Sequence, residues 1–255
     1  MKIELDWVEA YIKGVINMRM DKLLSNMGFG SRKEVKILLK SGGVKVNGNV
    51  IKDAKQHVDP IVDYIDVHGE KVEYREFIYL MMNKPKGLLS ATEDSHYETV
   101  IDILEIEDQV FNPFPVGRLD KDTEGLLLIT NDGQLSHQLL SPKKHVPKKY
   151  FAVIDQEVSA EDVKAFAEGV ILDDGYQTKP GELIILSSGS ESEIELTITE
   201  GKFHQVKRMF EAVGKKVVYL KRISMGTLHL DETLELGEYR ELTDEELEQL
   251  KAPST

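Results

Sequence analysis

The 255-residue chain has no cysteine. That excludes disulfides and thiolate metal sites, and it suits a reducing compartment, so a cytoplasmic location is expected. No run of 18 apolar residues occurs, so no membrane span is expected. The first residues include Glu4, Asp6 and Glu9, a pattern foreign to a secretory leader. Internal repeats and low-complexity tracts are also missing. What is present is a 41% hydrophobic composition, enough for a true core, in a length that suits one large domain or a medium and a small one.

Positive charge is also in short supply, with a net charge of -13. Its distribution matters more than its sum. Residues 18–58 carry nine Lys/Arg against three acids, and residues 202–222 carry seven against one. Residues 231–250 carry nine acids and one Arg. Binding responds to the field within about a Debye length, roughly 8–10 Å, so basic islands on an acidic body are compatible with a salt-sensitive polyanion site.

Residues 1–17 place Val8, Tyr11, Ile12 and Val15 at helical spacing, which reads either as an amphipathic extension or as sequence ahead of a start at Met18 or Met20. Residues 18–75 read as a compact module. Ser31-Arg32-Lys33-Glu34 is a capping box that opens a helix, Val35, Leu38 and Leu39 give it an apolar face, and Gly42-Gly43 ends it. Arg32, Lys36 and Lys40 form a basic stripe on another face. Val44 to Val50 reads as a hairpin turning at Asn47-Gly48. Gly28-Phe29-Gly30 is no nucleotide fingerprint, since it follows no strand and lacks the third glycine.

From residue 76 to 250 the pattern is mixed. Strands are expected at Phe77–Met82, Leu126–Thr130, Tyr150–Ile154, Ile194–Ile198 and Val217–Leu220, and helices from Ser159 to Gly169 and after Gly201 as far as Gly214. Several connections are too short for crossover helices, so antiparallel or mixed pairing is expected, in an α+β chain. A turn at Asn131-Asp132-Gly133 should close the second strand, and residues 69–76 could act as a hinge.

Chemistry concentrates at Gly117-Arg118-Leu119-Asp120, a charged loop that runs into the apolar strand. An aspartate near glycines usually caps a turn or pairs with a neighbour such as Arg118. Backed by a buried strand and held ionised, it becomes a usable nucleophile or base. In Gln205-Val206-Lys207-Arg208 the two cations fall early in a helix, against the dipole, so an anion should compensate them: RNA phosphate or the Asp120 carboxylate. Tyr150, at the mouth of the basic loop Lys143–Lys149, reads either as a core residue with a satisfied hydroxyl or as a platform for a base, a stacking worth roughly 1–3 kcal/mol.

Two resemblances follow from these residues. Arg19-Met20-Asp21-Lys22, Gly30-Ser31-Arg32 and Gly43 to Gly48 closely resemble the S4 RNA-binding domain, which has an αL-type fold. Asn83 to Gly87, Gly117 to Asp120 with Thr123 and Gly125, Lys149-Tyr150, and Glu200 to Met209 resemble the motifs of the pseudouridine synthases, and with the S4 module they resemble the branch that acts on ribosomal RNA. His204 to Lys207, with Ser141-Pro142, resembles the small-subunit enzymes most. The resemblance implies an N-terminal S4 module followed by a mixed- or antiparallel-sheet catalytic domain. It implies Asp120 as nucleophile, and Arg118, Tyr150, Lys207, Arg208 and Gln205 around the substrate. RNA contacts are expected from Arg19, Lys22, Arg32, Lys33, Lys36 and Lys45. The implied partner is 16S rRNA or a small-subunit assembly intermediate, modified at uridine 516 by a monomer that needs no cofactor or metal. A large-subunit 23S target, a non-catalytic ribosome-assembly factor and a carboxylate glycosidase remain open.

Overall fold

The computed structural model describes residues 17–252, so the reading of the N-terminal extension lies outside the described residues save for Asn17. Contacts divide the chain into two units: one runs to Phe77 and includes Ile106–Asn112, and the other holds Ile78–Glu105 and everything from Pro113.

In the first unit, β1 (Met18–Arg19) leads into α1 (Met20–Asn26) and α2 (Arg32–Ser41), followed by β2 (Val44–Val46), β3 (Asn49–Val50), β4 (His57–Val58), β5 (Ile65–Val67) and β6 (Glu70–Lys71). The start of α2 is fixed as its sequence requires. Ser31 Oγ accepts from Glu34 N while Glu34 Oε2 accepts from Ser31 N, and the helix stops at Gly42 with φ 83°. Asn47 and Gly48, at φ 50° and 79°, supply the two left-handed positions of a tight hairpin turn between β2 and β3. Met20, Leu23, Leu24, Val35, Leu39, Val44 and Ile65 build a core belonging to this unit alone. Within the stretch 69–76 expected as a hinge, residues 70–72 are tied to the first unit: β6 pairs with β5, and Val72 is buried, its N–H donating to Ile65 O.

The second unit is one mixed sheet of nine strands. Its elements are β7 (Tyr79–Lys84), β8 (Phe114–Pro115), β9 (Glu124–Thr130), α3 (Gly133–Leu140), β10 (Lys148–Ile154), α4 (Ala160–Glu168), β11 (Glu182–Ser187), β12 (Ser192–Ile198), α5 (Gln205–Ala212), β13 (Val217–Met225), β14 (Leu228–His229), β15 (Tyr239–Glu241) and α6 (Asp244–Lys251). The strand order is β11-β12-β10-β13-β9-β7-β15, with β8 on β9 and β14 on β13. Every ladder in it is antiparallel except β9 with β13. All seven residues of β9 are buried, as suits a central strand with neighbours on both sides.

Two local expectations are corrected. Asn131-Asp132-Gly133 is not merely a turn: Asp132 Oδ1 accepts from the N–H groups of Gln134 and Leu135 and so caps α3. The strand expected at Phe77–Met82 lies two residues later, because Tyr79 to Lys84 pair with Thr130 to Gly125. Among the described residues no helix is long and apolar enough to cross a membrane.

Candidate active site

The loop bearing Asp120 is fixed at its end and from beneath. At its end, Gly125 has φ 99° and lies opposite both Lys84 on β7 and Arg222 on β13. A Cβ there would run into the Arg222 carbonyl oxygen, so only glycine lets the loop turn into β9 between two neighbours. From beneath, Lys84 is fully buried, and its ammonium donates to the carbonyls of Pro85 (2.9 Å), Thr123 (3.0 Å) and Asp120 (3.2 Å). Burial pushes its pKa down to about 8, opposed by Asp122, Asp120 and Glu124.

The Asp120 carboxylate emerges above this support. Lys207, in the first turn of α5, donates to Asp120 Oδ2 at 3.1 Å and to Asp122 Oδ1 at 2.6 Å. Burial alone would lower the Lys207 pKa, but the hydrogen bonds to Asp122 and Asp120 outweigh it and hold the amine cationic. The same hydrogen bond lowers the pKa of Asp122. The anion expected beside Lys207 is thus supplied from within the chain, by two carboxylates. His204 Nε2 stands 3.6 Å from Asp120 Oδ1, brought there by a left-handed backbone (φ 49°) at the N-cap of α5, and its ring stacks on Phe203.

Asp120, Arg118, Tyr150, His204 and Gln205 line one recess of about 80 Å³, with Leu119, Ile198, Val206 and Leu220 as its apolar walls. Asp120, Tyr150, Lys207 and Arg118, far apart in the sequence, therefore converge at or beside one cavity, whereas two other expected groups are differently engaged. Gln205 is buried with its amide consumed: Oε1 accepts from Lys202 N at 2.8 Å and Nε2 donates to Glu200 Oε1 at 2.7 Å, which fixes the start of α5. Arg208 does not face the recess; it pairs with Asp173 and Asp174. In the first unit, Lys22, Arg32, Lys33, Lys36 and Lys45 are exposed, but Arg19 makes two hydrogen bonds to the buried Asp21, of 3.0 and 2.6 Å, and lowers its pKa.

Sequence reasoning assigned no individual role to Lys84, His204 or Arg222, and treated Lys148 only as part of a basic loop. A lysine at the end of an apolar strand and directly before Pro85, as at Lys84, was the available signal for the first. The last two line a broader groove that adjoins the recess and shares Arg118, Asp120 and Tyr150 with it. Lys148 donates to Val146 O at 2.8 Å, and burial, then the nearby Arg222, push its pKa down to about 8. Arg222 is 2% exposed, and its Nε donates to Leu126 O at 2.8 Å.

A carboxylate loop over an apolar recess, preceded by a small basic unit, has counterparts among known proteins. Residues 18–60 match the S4 domain and residues 78–212 match RNA pseudouridylate synthase, which defines the class: an RNA-modifying enzyme with an S4 module at its front. The chain belongs to the RNA pseudouridylate synthase family. It is 59% identical over 237 residues to an uncharacterized RNA pseudouridine synthase of Bacillus subtilis, covering 92% of this chain and 99% of that one. It is 42% identical to the ribosomal small subunit pseudouridine synthase A of Vibrio cholerae (90% and 98% covered) and 38% identical to the ribosomal large subunit pseudouridine synthase B of Bacillus subtilis (92% and 96%). A crystal structure of a pseudouridylate synthase superposes with a TM-score of 0.64 at 38% identity, covering 91% of this chain and 99% of that one. The activity is accordingly the isomerisation of uridine to pseudouridine in RNA.

Proposed function

We propose that the chain converts one uridine of small-subunit ribosomal RNA to pseudouridine, with Asp120 as the nucleophile. The observation that carries this reading is the pairing of Asp120 with Lys207 at 3.1 Å beside the recess that Tyr150 lines. In the reaction the C1′–N1 bond of uridine breaks, the uracil turns within the pocket, C5 bonds to C1′, C5 loses its proton and N1 gains one. The product is an isomer, so no redox partner, metal or nucleotide enters the balance. Lys207 sets its ammonium against the Asp120 carboxylate, Tyr150 holds the base, and Val206, Ile198 and Leu220 shut water away from the detached uracil. Extruding the target from its stack costs a few kcal/mol, which phosphate contacts offset. We assign those contacts to residues 18–75 together with the basic loops of the second unit, and the chemistry to residues 76–250, in a cytoplasmic monomer acting on 16S rRNA or a small-subunit assembly intermediate.

The small-subunit target is supported by relatives of that name at 38–42% identity, among them those of Yersinia pestis and Haemophilus influenzae. The large-subunit reading rests on the 38% identity to synthase B. Pseudouridine mapping in rRNA from a strain lacking the gene decides between them, and tritium release from C5-labelled RNA reads the activity directly. A missing 16S pseudouridine supports the first reading, a missing 23S one replaces it, and an unchanged map refutes both.

Two variants separate chemistry from binding. Lys207→Met is expected to lower turnover by about a hundredfold while RNA affinity changes little, since a cation beside the reacting carboxylate acts mainly on the transition state. An equal loss in affinity would count against that role. Lys36→Glu is expected to do the reverse, weakening RNA binding about fivefold and flattening its salt dependence, as for a lost phosphate contact. Unchanged filter-binding isotherms between low and moderate salt would remove the basic stripe from the interface.

A further inference from the structure

Burying a cation without a counter-charge is costly, and two such cations side by side repel each other as well. Arg222 and Lys148 are 2% and 9% exposed, yet among the described residues no carboxylate pairs with either. Their backbone partners, Leu126 O and Val146 O, satisfy one donor each. Arg222 Nη2 is buried with no partner at all. Both side chains line the groove beside the Asp120 recess, but neither lines the recess itself. Lys179 and Lys202 stand at the edge of the same groove. The missing partner is thus an anion that arrives with the substrate and lies next to the base pocket, not inside it.

We propose that Arg222 and Lys148 form a buried subsite for one phosphodiester of the substrate RNA, adjacent to the uridine that enters the Asp120 recess. The proposal rests on the functional reading above. In an RNA whose base occupies the recess, the neighbouring backbone phosphate is the anion held within a few ångströms of that base by covalent geometry. Tyr150 and Arg222 are direct cross-strand partners on β10 and β13, so one register fixes both the base contact and the anion contact. Arg222 brings a delocalised positive charge to the groove and Lys148 a point charge. The bound phosphate relieves the repulsion between the two, so it fixes where the backbone turns away from the flipped base.

The test is a scan of RNA oligonucleotides that cover the target uridine, each with one flanking phosphodiester replaced by an uncharged methylphosphonate. Binding is titrated with the full chain and with Lys148→Met, and tritium release from C5-labelled copies of the same RNAs reads the reaction separately. One linkage beside the target is expected to lower parent affinity by about tenfold, and by no more than about twofold in Lys148→Met, as coupled partners require. Arg222→Lys, which keeps a cation beside Leu126 O, is expected to fold and to retain sensitivity at that linkage. Absence of a sensitive linkage in the parent, or equal sensitivity in Lys148→Met, overturns the subsite. Normal tritium release with no coupled linkage defeats the subsite alone, whereas no release from any unmodified RNA defeats the functional reading.

Discussion

Asp120→Asn is expected to lower tritium release by at least about a thousandfold, with RNA affinity and thermal stability close to the parent's. The substitution keeps size and shape and removes only the charge. Little stability is at stake, because the side chain is 28% exposed and its loop is held through backbone carbonyls that the change leaves in place. Lys207 retains its shorter contact, at 2.6 Å, to Asp122. Asp122→Asn is the informative partner. Its carboxylate is 70% exposed and competes for Lys207, so its loss leaves Lys207 to Asp120 alone and should change turnover by no more than about tenfold. If Asp120→Asn stayed active while Asp122→Asn did not, the nucleophile would be the wrong aspartate.

The second large effect is expected at Lys84. Lys84→Met keeps the length of the side chain but leaves the carbonyls of Pro85 and Thr123 without their donor beneath the loop, and the Asp120 carbonyl with the Thr123 N–H alone. Unsatisfied buried acceptors cost about 1–3 kcal/mol each, partly offset by no longer burying a charge, for a net loss of roughly 2–4 kcal/mol. Turnover should fall with it, because Asp120 is no longer held at a fixed height. The pH dependence has a definite sign. Burial places the folded-state pKa of Lys84 at about 8, below that of a free lysine. Above pH 8 the unfolded chain therefore binds more protons than the folded one, and the contribution of Lys84 to stability grows with pH until the free lysine itself titrates. The stability gap between parent and Lys84→Met should widen through that window, by at most about 1.4 kcal/mol per pH unit. Denaturant unfolding at a series of pH values measures it, and a gap that stays flat or narrows contradicts a buried cation.

Local signals carried much of the fold. The Ser31 capping box, Gly42, the Asn47-Gly48 turn and Ser159 to Gly169 each act within a few residues, so their geometry is written where it is used. The Asp132 cap was misread because an Asn-Asp-Gly run serves a turn and a helix start equally well. The site was legible as a set of residue types, and the family resemblance brought Asp120, Tyr150 and Lys207 together. Their distances were not legible, since 87 residues separate Asp120 from Lys207 and only the sheet decides whether they meet. The use of Gln205 and Arg208 as internal struts could not be read either. Their partners, Glu200 and the Asp173-Asp174 turn, stand out in no pattern of spacing. Lys84 illustrates the same limit: a lysine in a strand looks like an edge until the carbonyls beneath the loop are in place.

Among the described residues the parallel ladder of this sheet, β9 against β13, joins two antiparallel halves: β15-β7-β9-β8 holds Asp120 next to it, and β11-β12-β10-β13-β14 holds Tyr150 and leads to Lys207. The seam pairs Glu124 with Lys221, 97 positions apart (221 minus 124), and within the first half β7 meets β15 across a longer separation still, Met82 with Tyr239. Closing so long a loop is entropically unfavourable, and such non-local parallel pairing is slow to form. On a ribosome making this chain, Asp120 has emerged well before α5 and β13 exist to meet it. In the nascent chain Asp120 therefore has no lysine partner until the last third is synthesised, and the proposed chemistry waits for the seam to form rather than for Asp120 to appear.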